Sequence, residues 1–196
     1  MTSKFFTTNN YFIDEKVNFL KFENEYKVYN ESGEHIGAVM QKISVGQKIL
    51  RLLLNKAMLP FNLDIVNIDN MQEASISRGW TFFMSTIKVS DADGNAIGTV
   101  KQKFKLFKPT FIISDASNSQ IAEITGDWKA WNFTIKDGNG NEIGQITKKW
   151  AGVMKEIFTT ADKYVVSIDP NYSNQKNKKA ILACAITIDM VLKESK

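Results

Sequence analysis

The sequence has few residues with which to build covalent cross-links or metal sites. Among its 196 residues there is one cysteine, Cys184, and one histidine, His35. A single cysteine excludes an intramolecular disulfide, and the two residue types together are too few for a structural zinc site. This composition predicts a reducing, cytoplasmic setting.

Long apolar runs are also missing. The longest candidate, Ala180 to Leu192, contains Asp189 and is shorter than the roughly 20 residues that a membrane-spanning helix needs. The opening residues MTSKFFTTNNYF have no sustained apolar core and no small-residue cleavage site, so a secretory signal is not expected. By its length, the apolar run is predicted to be a buried helix.

Motifs for enzymatic chemistry are absent as well. The sequence contains no GxxxxGK phosphate loop, no dinucleotide fingerprint and no GxSxG elbow, so no catalytic residue is assigned and an enzyme is not predicted. Its 43% hydrophobic and 23% charged residues are typical of a folded globular protein. The net charge of +4 favours anionic partners, either lipid headgroups or nucleic acid.

An internal repeat is the most informative feature that is present. In each copy an aromatic or aliphatic residue opens the segment, and a glycine or alanine follows eleven residues later. The four copies are YKVYNESGEHIG from Tyr26, IKVSDADGNAIG from Ile87, FIISDASNSQIA from Phe111 and FTIKDGNGNEIG from Phe133. Each reads as a β-hairpin whose turn is rich in Asp, Asn, Ser and Gly. The small residue is expected at a bulge or a close strand approach.

Further strand-like runs lie between and beyond these hairpins. They are KILRLLL from Lys48, FNLDIVNI from Phe61 and YVVSI from Tyr164. The pattern predicts ten to twelve strands and one late helix in a single domain, 1–196, in which residues 1–20 form a partly ordered N-terminal extension. Because so many antiparallel strands need protected edges and the helix is apolar almost all round, a barrel enclosing the helix would satisfy both.

The chain resembles the phospholipid scramblases over nearly its whole length, most specifically in its C-terminal quarter. The resemblance rests on a Trp-x-Gly turn, a Phe-Thr-x-Ala-Asp segment and a helix carrying Ile-Asp, and the hairpin pattern IGTVKQK from Ile97 is similar to one in that family. The matching positions are Trp150, Gly152, Lys155, Glu156, Phe158, Thr159, Ala161, Asp162, Lys179, Ala180, Ile188 and Asp189.

This resemblance implies the tubby-like fold shared with the LURP-one-related proteins. That fold is a closed antiparallel barrel of about twelve strands around a hydrophobic C-terminal helix. It also implies non-enzymatic functions at membranes, either calcium-stimulated lipid scrambling or phosphoinositide binding. We therefore expect a mainly β protein, cytoplasmic or peripheral at a membrane, whose partner is an anionic phospholipid bilayer.

The chain departs from the animal scramblases in its lipid anchor and its calcium loop. It shows neither a Pro-rich N-terminal segment nor a cysteine cluster for palmitoylation, so that anchor is not expected. The family's calcium loop would fall on Thr160 to Asn171, where neither end residue is acidic. Because calcium takes six or more oxygens, Asp162 and Asp169 are weak calcium candidates, and no other cofactor is predicted.

The strongest candidate binding feature is the segment VKQKFKLFKP, Val100 to Pro109. Alternation along a strand places Lys101, Lys103 and Lys105 on one face, and Lys108 extends their charge. The segment is either a site for anionic lipid, where each lysine contributes about 1 kcal/mol, or the solvated face of an amphipathic strand. A second basic cluster comprises Lys148, Lys149 and Lys155. The adjacent Trp150 is either an interfacial anchor or a core residue.

Asp189 is the most unusual polar residue, because it lies within the apolar helix. Either it reaches a lysine or backbone amides at the barrel's mouth, or it lines a passage for lipid or another ligand.

These observations predict a scramblase-like protein that binds anionic membrane phospholipids and mediates their transbilayer movement without covalent catalysis. The alternative is a soluble tubby-like barrel that acts as a protein-interaction or ligand-binding module. Nucleic acid is a weaker candidate partner, since the basic segment lacks a repeated row of stacking aromatics. The oligomeric state is not predicted.

Overall fold

The computed structural model describes residues 4–18, 23–43, 58–80, 86–103, 108–127, 129–149 and 163–194. These residues form a 3₁₀ turn at Lys4–Phe6, twelve strands and one helix, α1, at Gln175–Glu194. The strands are β1 Asn10–Asn18, β2 Glu23–Tyr29, β3 His35–Lys42, β4 Phe61–Asn67, β5 Gln72–Arg78, β6 Thr86–Asp91, β7 Ala96–Lys103, β8 Thr110–Asp115, β9 Gln120–Asp127, β10 Asn132–Asp137, β11 Glu142–Thr147 and β12 Lys163–Ile168.

The twelve strands form one closed antiparallel barrel. Each strand pairs with its neighbours in sequence, and the barrel closes where β1 pairs with β12, with Tyr11 opposite Val166. Closure leaves no sheet edge exposed, which answers the edge problem that so many strands create. The sequence-based fold prediction is confirmed. The stretch Asn10–Asn18 is itself a barrel strand, so the expectation of an N-terminal extension over residues 1–20 was wrong for these nine residues.

The five hairpin turns share one hydrogen-bond arrangement. In each, an Asp or Asn side chain accepts hydrogen bonds from the backbone N–H groups two and four residues later. These turns begin at Asn30, Asn67, Asp91, Asp115 and Asp137, and beside each of them the register shifts by one residue, with the extra residue on the strand that follows the turn. The turn at Asn67 is a fifth copy of the repeat, and the sequence pattern identified four.

The small residue of each copy lies opposite the strand residue at the bulge. At Gly98 an added Cβ would lie 2.6 Å from the carbonyl oxygen of Ser114, and at Gly144 it would lie 2.3 Å from that of Ser167. A real Cβ essentially never comes this close to another heavy atom. The expected close strand approach is therefore confirmed at these two glycines.

The barrel has two distinct ends. All five hairpin turns lie at one end, which we call the turn end, together with Asn9 and the start of α1. The connections between successive hairpins lie at the other, which we call the loop end, and much of them falls outside the described residues. The predicted strand KILRLLL from Lys48 lies outside the described residues.

Helix α1 runs through the barrel from the turn end to the loop end. Near its start Lys178 Nζ donates to Asn9 Oδ1, and further along the Ile186 carbonyl accepts from the Tyr164 hydroxyl at 3.3 Å. Its buried residues have 0–2% exposed surface and are Lys178, Ala180, Ile181, Leu182, Ala183, Cys184, Ala185, Ile186 and Ile188. The helix starts five residues before the predicted apolar run, because Asn174 caps its polar first turn by accepting from the Asn177 N–H.

Candidate functional site

The predicted lysine stripe lies on β7, at the outer surface of the barrel. Lys101 and Lys103 are exposed, while Val100 is 1% exposed and faces the interior. This alternation follows from the two-residue period of a strand that has one buried face. Lys108 is exposed two residues before β8 begins, and Lys105 lies outside the described residues.

The second predicted cluster lies at the end of β11. Lys149 is exposed, and Lys148 is half-buried, with its Nζ 4.7 Å from the centre of the Trp131 ring. That ring packs on Tyr164, with centroids 5.5 Å apart, and on Phe133. Trp131 was not identified from sequence, whereas Lys155 and Trp150, which were, fall outside the described residues.

The fold brings the two clusters to the same end of the molecule. Lys101 and Lys103 end β7, Lys108 precedes β8 and Lys148 follows β11, so all of them lie at the loop end. Lys129, in the connection from β9 to β10, joins them and is exposed. We call this set the basic rim: Lys101, Lys103, Lys108, Lys129, Lys148 and Lys149. A shallow groove of about 530 Å³ beside Lys149 is lined by Ala130, Asn132, Gln145 and Thr147.

Among the described residues of the loop end, acidic side chains lie both within the basic rim and outside it. The exposed Asp127 lies within the rim, where its Oδ1 accepts from the Lys129 N–H, and Glu25 lies on β2, on another side of the barrel. Two further lysines toward the loop end are engaged with strand aspartates, Lys42 with Asp64 and Lys163 with Asp14. The lysines of the basic rim therefore dominate the charge from β7 to β11.

Acidic side chains predominate in the hairpin turns of the turn end, where α1 also brings Lys178 and Lys179. The five hairpin turns contain acidic residues and no lysine or arginine; the acids are Glu31, Glu34, Asp69, Asp91, Asp93, Asp115 and Asp137. Hydrogen bonds from the side-chain amide of Asn141 and from backbone N–H groups of the turn outweigh desolvation and hold the pKa of Asp137 below its usual value. Asp137 is therefore ionised at neutral pH.

The described part of the proposed calcium loop does not form a cation cage. Asp169 is exposed, and its Oδ1 accepts from both the backbone and the side-chain nitrogen of Asn171. Asp162 lies outside the described residues. Across the described ranges, no three acidic, histidine or cysteine side chains are grouped so that they could hold a metal ion. Asp169 by itself supplies fewer oxygens than calcium needs.

The role predicted for Asp189 of α1 stays a prediction. Asp189 follows Ile186 by three residues, which places its backbone near the loop end, and its side chain lies outside what the structure describes. The buried charge that is described is Lys178, 2% exposed, which donates to Asn9 Oδ1 at 2.8 Å. Burial lowers the pKa of the Lys178 ammonium, and the charge of Glu31 acts in the opposite direction.

Among the described residues, no helix combines the length and the mean hydropathy that crossing a bilayer requires.

A closed twelve-stranded antiparallel barrel around a buried C-terminal helix is the tubby-like fold. An X-ray structure of a protein from Arabidopsis thaliana has the same fold, with a TM-score of 0.54 and 8% identity over 96% of this chain and 94% of that one. The family model described as Scramblase matches residues 10–195. The chain therefore belongs to the Scramblase family.

Several curated relatives are named as phospholipid scramblases. A phospholipid scramblase family protein of Schizosaccharomyces pombe is 22% identical over 76% of this chain and 42% of its own length. Human phospholipid scramblase 1 is 27% identical over 69% of this chain and 47% of its own length. The chain thus spans about half the length of the curated relatives it matches.

Proposed function

We propose that this protein binds anionic phospholipid membranes peripherally, through the basic rim. The observation that carries the proposal is the segregation of charge: exposed lysines from separate parts of the sequence meet at the loop end, while the hairpin turns at the other end carry acids. Such an arrangement orients a protein in the field of a negatively charged surface. Membership of a family whose curated relatives are named phospholipid scramblases supports the same partner.

The expected affinity is modest. A lysine close to an anionic bilayer contributes about 1 kcal/mol, so the five exposed lysines of the basic rim together contribute about 5 kcal/mol. This free energy corresponds to a dissociation constant of a few tenths of a millimolar, so binding is reversible and sensitive to salt. No bond is made or broken in this function, and no metal is required for it.

Transbilayer movement of lipid is the finer part of the proposal. The apolar residues of α1 fill the barrel, so inserting this helix into a bilayer would first require the barrel to open. We therefore expect any lipid movement to use the outer surface of a closed barrel or to follow its opening. Reconstitution into vesicles with fluorescent lipid separates binding from lipid movement, because dithionite quenches only the lipid that reaches the outer leaflet. If the protein binds the vesicles but does not increase this quenching, it is a membrane-binding module.

Neutralising two lysines tests the membrane-binding proposal. The variant Lys101→Gln/Lys103→Gln removes two charges from the basic rim, and we expect its affinity for mixed phosphatidylcholine and phosphatidylserine vesicles to fall about thirtyfold. The matched control is Lys88→Gln/Lys136→Gln, which removes two exposed strand lysines nearer the turn end. Co-sedimentation measures both. Equal losses in the two variants would show that net charge, and not the basic rim, controls binding.

A protein-interaction module remains the second candidate. It is favoured by Ile68 and Met71, which are 56% and 59% exposed in the turn between β4 and β5. Their position at the turn end would leave the basic rim free. A protein of this type would not co-sediment with anionic vesicles at low salt.

A further inference from the structure

Trp80 is an exposed aromatic residue for which neither the fold nor the basic rim accounts. It lies two residues beyond the end of β5, at the loop end, and 53% of its surface is exposed. The large apolar residues that share this degree of exposure within the described ranges are Ile68 and Met71, both at the turn end. Large exposed apolar side chains on a folded domain often mark a contact surface.

The backbone that carries Trp80 is firmly attached to the barrel. Arg78 is 5% exposed, donates to the carbonyl oxygen of Leu59 at 2.8 Å and has its guanidinium 4.6 Å from the centre of the Phe61 ring. Leu59 and Phe61 are themselves buried, with 3% and 2% of their surface exposed. The indole is therefore presented two residues from a fixed point, which lowers the conformational entropy lost when it binds.

Strand order places Trp80 beside the basic rim. Arg78 pairs with Ile87 on β6, and Ile87 pairs with Val100 on β7, the residue before Lys101. The loop after β5 is thus two strands from the lysines of β7, about 10 Å at the usual strand spacing. An indole and several ammonium groups share one side of the loop end.

Charge distinguishes the two exposed apolar sites. Ile68 and Met71 flank Asp69 among acidic turns, where an anionic surface would repel them. Trp80 lies beside lysines that an anionic surface attracts. Tryptophan also has a specific preference for the headgroup region of a bilayer, because its ring is apolar and its N–H can still donate to water or to lipid oxygens.

We infer that Trp80 is an interfacial anchor, and that the barrel docks on an anionic bilayer by the side of its loop end that runs from β5 to β11. The lysines of the basic rim contact lipid phosphates and carboxylates there, the indole enters the headgroup region, and the acidic turns face away from the membrane. This inference rests on the proposed function and specifies its docking orientation.

Removing the anchor gives the first test. In Trp80→Ala the headgroup-inserted ring is lost, and we expect co-sedimentation with phosphatidylcholine and phosphatidylserine vesicles to weaken about tenfold. The matched control is Met71→Ala, which removes a side chain of similar exposure at the turn end and should leave binding unchanged. Circular dichroism confirms that both variants are folded.

Site-specific labels give the second test. Cys184 is 1% exposed, so a cysteine at position 80 or 71 can be labelled with an environment-sensitive NBD dye in the native protein. On adding the vesicles, we expect the emission of the Trp80→Cys label to rise and shift to the blue, and that of the Met71→Cys label to stay constant.

The outcomes separate this inference from the function on which it rests. If the protein binds vesicles and the position 71 label responds instead, or both respond equally, the docking orientation is wrong and membrane binding stands. If Trp80→Ala binds as tightly as the unmodified protein, the anchor is wrong. If neither the unmodified protein nor any variant co-sediments, the proposed function is wrong, and the inference about Trp80 is wrong as well.

Discussion

At the scale of single residues, close strand contacts decide which hairpin positions accept a side chain. The small residue of each repeat lies beside the neighbouring strand, but the distance differs between copies. Gly98 and Gly144 have a backbone oxygen within 2.6 Å of where a Cβ would lie, while Ala74 and Ala122 carry a Cβ at the equivalent positions. Every copy of the repeat therefore has a small residue at this position, and the distance to the neighbouring strand determines whether that residue must be glycine.

The variant Gly98→Ala tests whether the close strand contact at this position excludes a side chain. The new Cβ would force β7 away from the Ser114 carbonyl, and we expect the free energy of unfolding to fall by about 1–3 kcal/mol. Gly79→Ala is the control, since nothing lies within 4 Å of its added Cβ. Urea denaturation measures both. Equal stability of the two variants would contradict the close approach at Gly98.

Cys184 reports on whether the helix is enclosed. Complete burial raises the pKa of its thiol, so at neutral pH the group is protonated and shielded from reagents. We expect no reaction with a thiol reagent such as DTNB in the native protein, and one equivalent per chain in denaturant. Rapid native reaction would show that the barrel opens around α1 far more readily than its packing suggests.

At the scale of secondary-structure elements, the hairpin turns depend on one side chain each. Asn67 is the most buried of the five turn-opening residues, with 9% exposure. Its Oδ1 accepts from the N–H groups of Asp69 and Met71, and its amide nitrogen donates to Glu73 at 2.9 Å. Glu73 is equally buried, so this hydrogen bond stabilises a charge that has little contact with water.

We expect Asn67→Ala to lower the free energy of unfolding by about 2–3 kcal/mol, because it leaves a buried carboxylate without this donor and two turn amides without their acceptor. Asn139→Ala, at an exposed position of the turn between β10 and β11, is the control. Thermal denaturation compares the two. Similar melting temperatures would mean that the strands, and not the side chain, hold the turn together.

The sequence pattern predicted four of the five hairpins and missed one. Four hairpins were recognised because their turns combine Asp, Asn, Ser and Gly with a fixed spacing. The turn at Asn67 was missed, although Leu63 and Ala74 show the same eleven-residue spacing. It differs from the recognised copies in carrying the apolar residues Ile68 and Met71, while Asn70 adopts a positive φ of 60°, as Asn118 does with 64° in the recognised turn at Asp115. Asparagine tolerates that conformation better than other residues with a Cβ, which was the available signal.

The site was less predictable than the barrel, for a physical reason. Alternation along β7 is a local property, so the outer face of Lys101 and Lys103 follows from the sequence. Their proximity to the end of β11 depends on the pairing of five consecutive strands, which no local pattern specifies. The exposure of Trp80 and the packing of Trp131 likewise arise from tertiary contacts.

At the scale of the whole molecule, we expect the distribution of charge to control membrane binding. The net charge of +4 is small, but its distribution gives the barrel a basic side at the loop end and acidic turns at the other. Local charge of this kind acts over about 10 Å at 0.1 M salt and over about 3 Å at 1 M. Membrane affinity should therefore depend on ionic strength far more than fold stability does.

Binding to anionic membranes through the basic rim is tested by co-sedimentation of the unmodified protein with vesicles of two compositions at increasing salt. We predict that, at low salt, the protein pellets with mixed phosphatidylcholine and phosphatidylserine vesicles and remains in solution with pure phosphatidylcholine vesicles. We also predict that it dissociates from the anionic vesicles as the salt concentration approaches about 1 M, because charges are then screened within about 3 Å. Failure to pellet with the anionic vesicles at low salt, or equal binding to both compositions, would contradict it.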